Sequence, residues 1–399
     1  MKRGVWLLVL VLMLLPSVVF ARPSSDPFVT DLIAGGGSAA SAMDVGDMLV
    51  WNDGDNLYVK YLITDPAWSL VELHLAVAND LGLIPQNSGG NVVPGKFKYK
   101  WRGSAAQQYV FAVPLNGWTM DTLLYIAAHA IVRTQLLYPD GSPVLDACGN
   151  PVYRCETAWG EGPRFNERKN WAMYFNYTVE GYRVIYWPGP GSNNDTTIAF
   201  EDLPRLLPLQ DFDYNDWVGD VQVTALMFGN ETEGFNYLRQ IDFHFVRQGK
   251  LSGMTHRWQI GANAFPGDGL YVRRLNGAIV GAGIYNAATG LDLPLLDTGN
   301  TAHLTATVTI LFVPICTFTL PEWDHNSFHG EGLFFDPYLH VNLTGQDIHT
   351  GDSRLLAIPT TWDYPDNGVH IWNEYPNVGP AVWTGLSWDP PVFQPYWWE

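Results

Sequence analysis

Apolar and polar residues alternate with a period of two along most of this chain, the register of half-buried strands rather than of helices. Leu57-Tyr-Val-Lys-Tyr-Leu-Ile63 sets an apolar residue at every second position, and Asn52-Asp-Gly-Asp-Asn56 separates it from Met48-Leu-Val-Trp51. That order predicts strand, tight turn, strand. Further strands are expected over 70–77, 108–113, 122–132 and 171–179, with turn chemistry such as Pro85-Gln-Asn-Ser-Gly-Gly-Asn91 between them. A second β-rich stretch is expected over 219–227, 236–247, 302–318 and 335–343. Helical periodicity is scarce, with short helices expected only near Asp202 and Tyr237.

The two stretches are divided by Trp187 through Asp195, where Pro, Gly, Asn and Asp crowd together as in a linker. At the N-terminus, Lys2-Arg3 precedes an apolar run from Val5 to Phe20 that ends in Val19-Phe20-Ala21. A basic start, an apolar centre and a small residue at the end read as a cleaved signal peptide. The expected organisation is therefore signal peptide 1–21, leader 22–27, a first β-sandwich module 28–186, a linker 187–196 and a second β-sandwich module 197–399. The fold class is all-β, two jelly-roll-like sandwiches in tandem, exported and without membrane insertion once the signal is removed.

Composition narrows the function classes. Charged residues make up 16% of the chain, against the roughly 25% usual for soluble domains, while Gly (39), Pro (27) and Trp (17) are abundant. Helical enzymes rich in Ala, Glu and Lys are disfavoured on this ground. Forty acidic residues against 22 basic ones give a net charge of −18, which repels phosphate backbones and excludes nucleic acid as a partner class. Three cysteines occur. Cys148 and Cys155 flank the turn-forming Gly-Asn-Pro and, in an exported chain, are expected to form a local disulfide. Cys316 lies in an apolar run and reads as a buried thiol.

The densest chemistry is acidic. Glu201-Asp202 precedes Asp211-Phe-Asp-Tyr-Asn-Asp216, where oxygen-bearing side chains alternate at Asp211, Asp213 and Asn215, with Asp216 added. Ca²⁺ takes six to eight oxygen ligands, and alternation lets a curled loop aim every second side chain inward while Phe212 and Tyr214 pin it to a core. The Asp-x-Asp-x-Asn opening resembles an EF-hand, but Asp216 stands where that loop needs glycine and Gln222 where it needs glutamate. Ligands must then come from elsewhere, and Glu201 and Asp202 are the nearest acids. The alternatives are a solvated acidic turn, a different divalent metal, or a catalytic acid.

The same residues carry a resemblance. Ile198-Ala-Phe-Glu-Asp-Leu203 through Asp211-Phe-Asp-Tyr-Asn-Asp-Trp-Val218 is similar to the opening signature of LruC domains, modules of exported bacterial proteins with no settled biochemical activity. Phe335-Asp-Pro-Tyr-Leu339, Asp347-Ile-His349, Ile358-Pro-Thr360 and Trp372-Asn-Glu-Tyr-Pro376 follow in the same order. The likeness covers about 197–399, and its Pro204–Pro208 stretch is longer and more prolyl than the family's usual connector. It implies a β-sandwich whose acidic loop holds Ca²⁺ through Asp211, Asp213, Asn215 and Asp216, joined by Glu201. The first half, about 28–180, resembles another exported β module and implies no activity.

Glu72, His74, His129 and Glu156 form a metal or acid–base site if strands bring them together, and separate structural side chains if not. His325 and His329, flanked by Asp324 and Glu331, have metal-like spacing but sit among glycines. No nucleophile elbow, phosphate-binding loop or dinucleotide fingerprint occurs. These readings lead to an exported, non-catalytic calcium-binding protein, structural or adhesive, acting at the cell surface or in the matrix on an extracellular protein or glycan. The alternative is a carbohydrate-binding protein or a glycan-processing enzyme, for which the many aromatic residues would supply stacking platforms.

Overall fold

The computed structural model describes residues 24, 26–37, 40–166, 170–188, 195–203, 211–249, 252–297, 304–322, 329–330, 333–360, 362–366, 368–394 and 397. The expected signal peptide, residues 22, 23 and 25 of the leader, residues 189–194 of the expected linker, and His325 with Asp324 and Glu331 lie outside them. Among the described residues the protein is all-β, 57% strand and 3% helix. It divides into two compact units. One runs through Tyr182 and also takes Phe228–Phe235; the other takes Arg183–Met227 and Asn236 onward. Trp187, the first residue of the expected linker, instead ends a strand and is buried against Phe334 and Phe335.

The N-terminal unit contains β1 (Phe28–Ala34), β2 (Met43–Asn52), β3 (Asn56–Ile63), β4 (Trp68–Ala78), β5 (Tyr99–Ala106), β6 (Gln108–Pro114), β7 (Leu123–Gln135), β8 (Tyr153–Gly160) and β9 (Phe175–Thr178). They make one sheet in the order β5-β4-β7-β8-β1-β2-β3-β6, with β9 on β7. The edge strands β5 and β6 are consecutive in sequence, joined by Gln107 alone. Their ring pairs Trp101–Tyr109 (5.0 Å) and Tyr99–Phe111 (6.3 Å) bring the two edges together, so the sheet folds over its own apolar face. In β3 the alternation read from sequence is literal: Leu57, Val59, Tyr61 and Ile63 are buried and the residues between them are not. They join a core with Leu73, Leu75, Ile126 and Val132. A smaller cluster on the opposite face holds Ala76, Ala127 and Trp159 beneath Ile84, Phe97 and Met173.

The C-terminal unit contains β10 (Gly181–Trp187), β11 (Asp195–Phe200), β12 (Trp217–Asn230), β13 (Gly234–Gly249), β14 (His256–Ala262), β15 (Gly269–Leu275), β16 (Ala278–Tyr285), β17 (Leu291–Asp297), β18 (Thr305–Thr317), β19 (Asp336–Val341), β20 (Gln346–Ile348) and β21 (Leu355–Ile358), with one helical turn, α1 (Ile371–Glu374). The larger sheet runs β16-β15-β18-β13-β12-β11-β21, with β10 on β12, and the smaller runs β17-β14-β19-β20. Aromatic rings fill the space between them, including Trp217–Trp258 (5.9 Å) and Phe245–Trp258 (5.1 Å). The other face of the larger sheet is covered by Phe212, Tyr214, Trp362, Ile371 and Trp397, packed on Ala199, Val218, Leu356 and Ile358.

Three local expectations change. Tyr237 lies in β13 rather than in a helix, because its neighbours pair in register with β18. Asp202 stands in irregular backbone after β11. The expected 148–155 disulfide is absent: all three cysteines are free thiols, Cys148 and Cys155 exposed and Cys316 buried. Leu145 bridges Pro151 across a hairpin, and Asp146 accepts bonds from the N–H groups of Cys148 and Asn150, so Cys148 occupies the hairpin tip. Cys155 lies four residues beyond Pro151 along the extended chain. At about 3.3 Å per residue this separates the two beyond the ~7 Å Cα limit for a bridge.

Candidate metal centre

The acidic constellation assembles where the β11–β12 ladder ends. Phe200 pairs with Trp217 as its last rung, so Glu201 and Asp216 are the next residues outward on the face that also carries Ala199 and Val218. The Glu201 N–H donates to Arg354 O at 2.8 Å, and the Asp202 N–H donates to Asp216 Oδ2 at 2.6 Å. Carboxylate oxygens of Glu201, Asp213 and Asp216 lie within 4.8 Å of one another, and all three residues are buried.

Alternation places the rest. Phe212 and Tyr214 take left-handed backbone at φ 53° and 52° and send their rings into the outer core. Such a conformation is unfavourable for bulky side chains, by roughly 1–3 kcal/mol each, and the two buried aromatic rings offset it. Asp213 and Asn215 thereby turn the other way and are buried. The C-terminal segment clamps the loop. Gly368 N–H donates to Asp213 Oδ2 at 2.8 Å, Asn215 Nδ2 donates to Pro365 O at 2.8 Å, and Tyr214 Oη donates to Ser353 O at 2.7 Å. Ile371 N–H donates to Phe212 O, and His370 Nδ1 contacts Asp211 O.

Both carboxylate oxygens of Glu201 and Oδ1 of Asn215 are buried and receive no N–H or hydroxyl donor, and the Glu201 carboxyl meets that of Asp216, with which it shares a hydrogen bond when one of the two is protonated. Burial, with the charges of Asp216, Asp211 and Asp213, pushes the Glu201 carboxyl well above the ordinary range. Asp216 is pushed up to about 7 by burial and then by Asp202. Burial also raises Asp211 and Asp213. Carboxylates desolvated together without a compensating cation repel one another, so each resists ionisation. The donor set is all oxygen, the chemistry of a hard cation. Two oxygens bound to one Ca²⁺ at 2.3–2.6 Å stand at most about 5 Å apart, which the 4.8 Å grouping satisfies.

The six sequence candidates do not contribute alike. Glu201, Asp213 and Asp216 converge, and Asn215 offers a vacant carbonyl oxygen beside them in the loop. Asp211 is half-buried. The Asp202 carboxylate turns to a different partner, accepting from His256 Nε2 at 2.8 Å and from Ser252 Oγ. Sequence reading gave no sign of His256, the first residue of β14, or of the clamp formed by Pro365, Gly368 and His370, since nothing in their spacing marks them.

Of the first-module quartet, three residues meet. His74 and His129 face each other across β4 and β7, and Glu72 reaches His74. Glu156 lies opposite Val132 and pairs with Arg154 instead. His329 Nδ1 contacts Leu355 O. Trp51 and Tyr58 stack at 5.3 Å with planes 14° apart, beside a cleft of about 440 Å³ that Lys60, Gln108 and Tyr109 also line.

No family model matches the chain, and no curated protein matches it. Among solved structures, a candidate lipoprotein from Bacteroides ovatus is similar at 10% identity over 87% of this chain and 93% of that one, with a TM-score of 0.31.

Proposed function

We propose that this chain is an exported, non-catalytic calcium-binding protein whose C-terminal unit is stapled by Ca²⁺ between the end of the β11–β12 ladder and the Asp211–Asp216 loop. One observation carries this reading: Glu201 is completely buried beside Asp213 and Asp216, with no N–H or hydroxyl donor to either carboxylate oxygen. A buried charge left this way is costly unless a cation meets it. Glu201, Asp213, Asp216 and the Asn215 carbonyl would hold the ion, with Asp211 at the rim. A closed site suits a structural staple better than a catalytic acid, which needs access to substrate. The likeness of 198–218 to LruC domains and the signal-like N-terminus support an extracellular setting, where calcium is plentiful and the partner is another surface protein or a glycan.

Thermal unfolding of the full chain in EDTA and then in millimolar calcium tests the proposal. A ligand at about 100 times its Kd adds about 2.7 kcal/mol to stability, a rise of about 5–10 °C for a unit of this size. An unchanged Tm, with no calcium bound in equilibrium dialysis, overturns the staple.

A further inference from the structure

The outer face of the N-terminal sheet carries a second set of side chains with a different chemistry. His74 and His129 are direct cross-strand partners. Their Nδ1 atoms stand 3.3 Å apart, and both residues are buried. On the far side of His74, Nε2 lies 3.2 Å from Glu72 Oε1, and the other Glu72 oxygen is 3.5 Å from Arg102 Nε. Trp159, opposite His129 in β8, covers that ring at a centroid distance of 4.8 Å. Lys100, opposite His74 in β5, donates its ammonium to Gly95 O at 2.6 Å.

Glu72 fixes the tautomer of His74. Its carboxylate accepts the Nε2 proton, which leaves a lone pair on Nδ1, the atom facing His129. The 3.3 Å separation is that of an N–H···N hydrogen bond, donated by His129 to this lone pair while no metal is held. It equals one edge of a tetrahedron whose centre is about 2.0–2.1 Å from each imidazole nitrogen, the geometry of zinc. Desolvation holds His129 down to about 3, with His74 adding to the effect, and desolvation also lowers His74. Both rings are therefore neutral and able to ligate at physiological pH. Nitrogen donors suit a borderline transition metal and distinguish this site from the oxygen cluster of the other unit.

We infer that His74 and His129 form a site for a zinc-class divalent transition metal, bound through both Nδ1 atoms, with Glu72 orienting His74 and exogenous oxygen donors completing the shell.

The test uses the full chain in millimolar calcium, so that the oxygen site is filled, titrated with Co²⁺ by visible absorption and with Zn²⁺ by competition. One equivalent should bind with the intense d–d absorption of tetrahedral nitrogen ligation. His74→Gln and His129→Gln should each weaken binding at least about 100-fold, Glu72→Gln about 10–100-fold, and His349→Gln not at all. If the histidine variants do not fold, wild-type imidazole NMR signals decide, since zinc must shift those of two buried histidines. Absence of stoichiometric binding to the wild-type chain, or full binding by folded His74→Gln, overturns the inference and leaves the pair as a structural contact.

Discussion

Glu201 and Asp216 leave the β11–β12 ladder side by side, one step beyond the Phe200–Trp217 pair, so two acids distant in sequence meet where the strands stop. Backbone pairing brings them together against their mutual repulsion, and each is pushed towards its protonated form. A sheet ending in a carboxyl pair can be relieved by a proton or by a cation, and the two predict different behaviour.

Glu201→Gln keeps the shape and imitates the protonated carboxyl. Without calcium the variant should be about as stable as the parent, because the Glu201 carboxyl is already pushed towards its neutral form. The calcium-dependent rise in Tm should be lost. Differential scanning calorimetry with and without calcium reads both effects, and an undiminished calcium shift would remove Glu201 from the ligand set.

Stability should fall with pH in EDTA and stay nearly flat in calcium. In EDTA, Asp216 has a folded pKa of about 7, above its unfolded value. Between that ordinary value and about 7 the folded state holds a proton that the unfolded chain has released. Its stabilising contribution is therefore fully present below the unfolded pKa and is lost as pH rises through the folded one. With calcium bound, the ion takes the proton's place, neither the folded nor the unfolded chain carries that proton, and stability should stay nearly flat over the same interval. Melting curves from about pH 5 to 8, a span covering this window, check it. Parallel slopes with and without calcium would count against a shared site.

Asp202 and His256 should behave as a buried pair separate from the cation. Both side chains are almost fully buried, with Nε2 at 2.8 Å from Oδ2. Asp202→Asn or His256→Gln alone should cost about 3–5 kcal/mol, and the double variant less than the sum. Urea unfolding of the four proteins measures the coupling, and strict additivity would show that the contact contributes nothing.

The three thiols should separate by accessibility. Cys148 and Cys155 are exposed and should react quickly with a maleimide. Cys316 is buried and its thiol is pushed up to about 11 by desolvation, so it should react only on unfolding. Intact-mass analysis after brief labelling should show two adducts; none or one would restore the disulfide expected from the sequence.

The sequence placed some parts of this protein well and left others dark, for reasons visible in particular residues. β3 and the middle of β12, residues 221–227, were legible because burial there alternates and writes the register into every second position. The 171–179 stretch read as a full strand, yet only Phe175–Thr178 joins the sheet, because Ala172 and Met173 cover the small outer cluster and Met173 bridges Arg164 instead. The hairpin beyond Cys148 shows the same limit: spacing in sequence says that two cysteines are near, while register carries them apart. His74 and His129 were singled out, and only the pairing of β4 with β7 placed them face to face.

By itself, the sequence determined the all-β character, the strand periodicity and the acidic loop with its inward and outward alternation, because these are local consequences of pleat geometry and side-chain chemistry. Only the tertiary structure decided that Glu201 joins Asp213 and Asp216 while Asp202 turns to His256, that Pro365, Gly368 and His370 clamp the loop, and that two histidines share one face of a sheet. Those outcomes depend on which strands pair and where each ladder ends, and pairing is set by long-range burial that no short window of sequence contains.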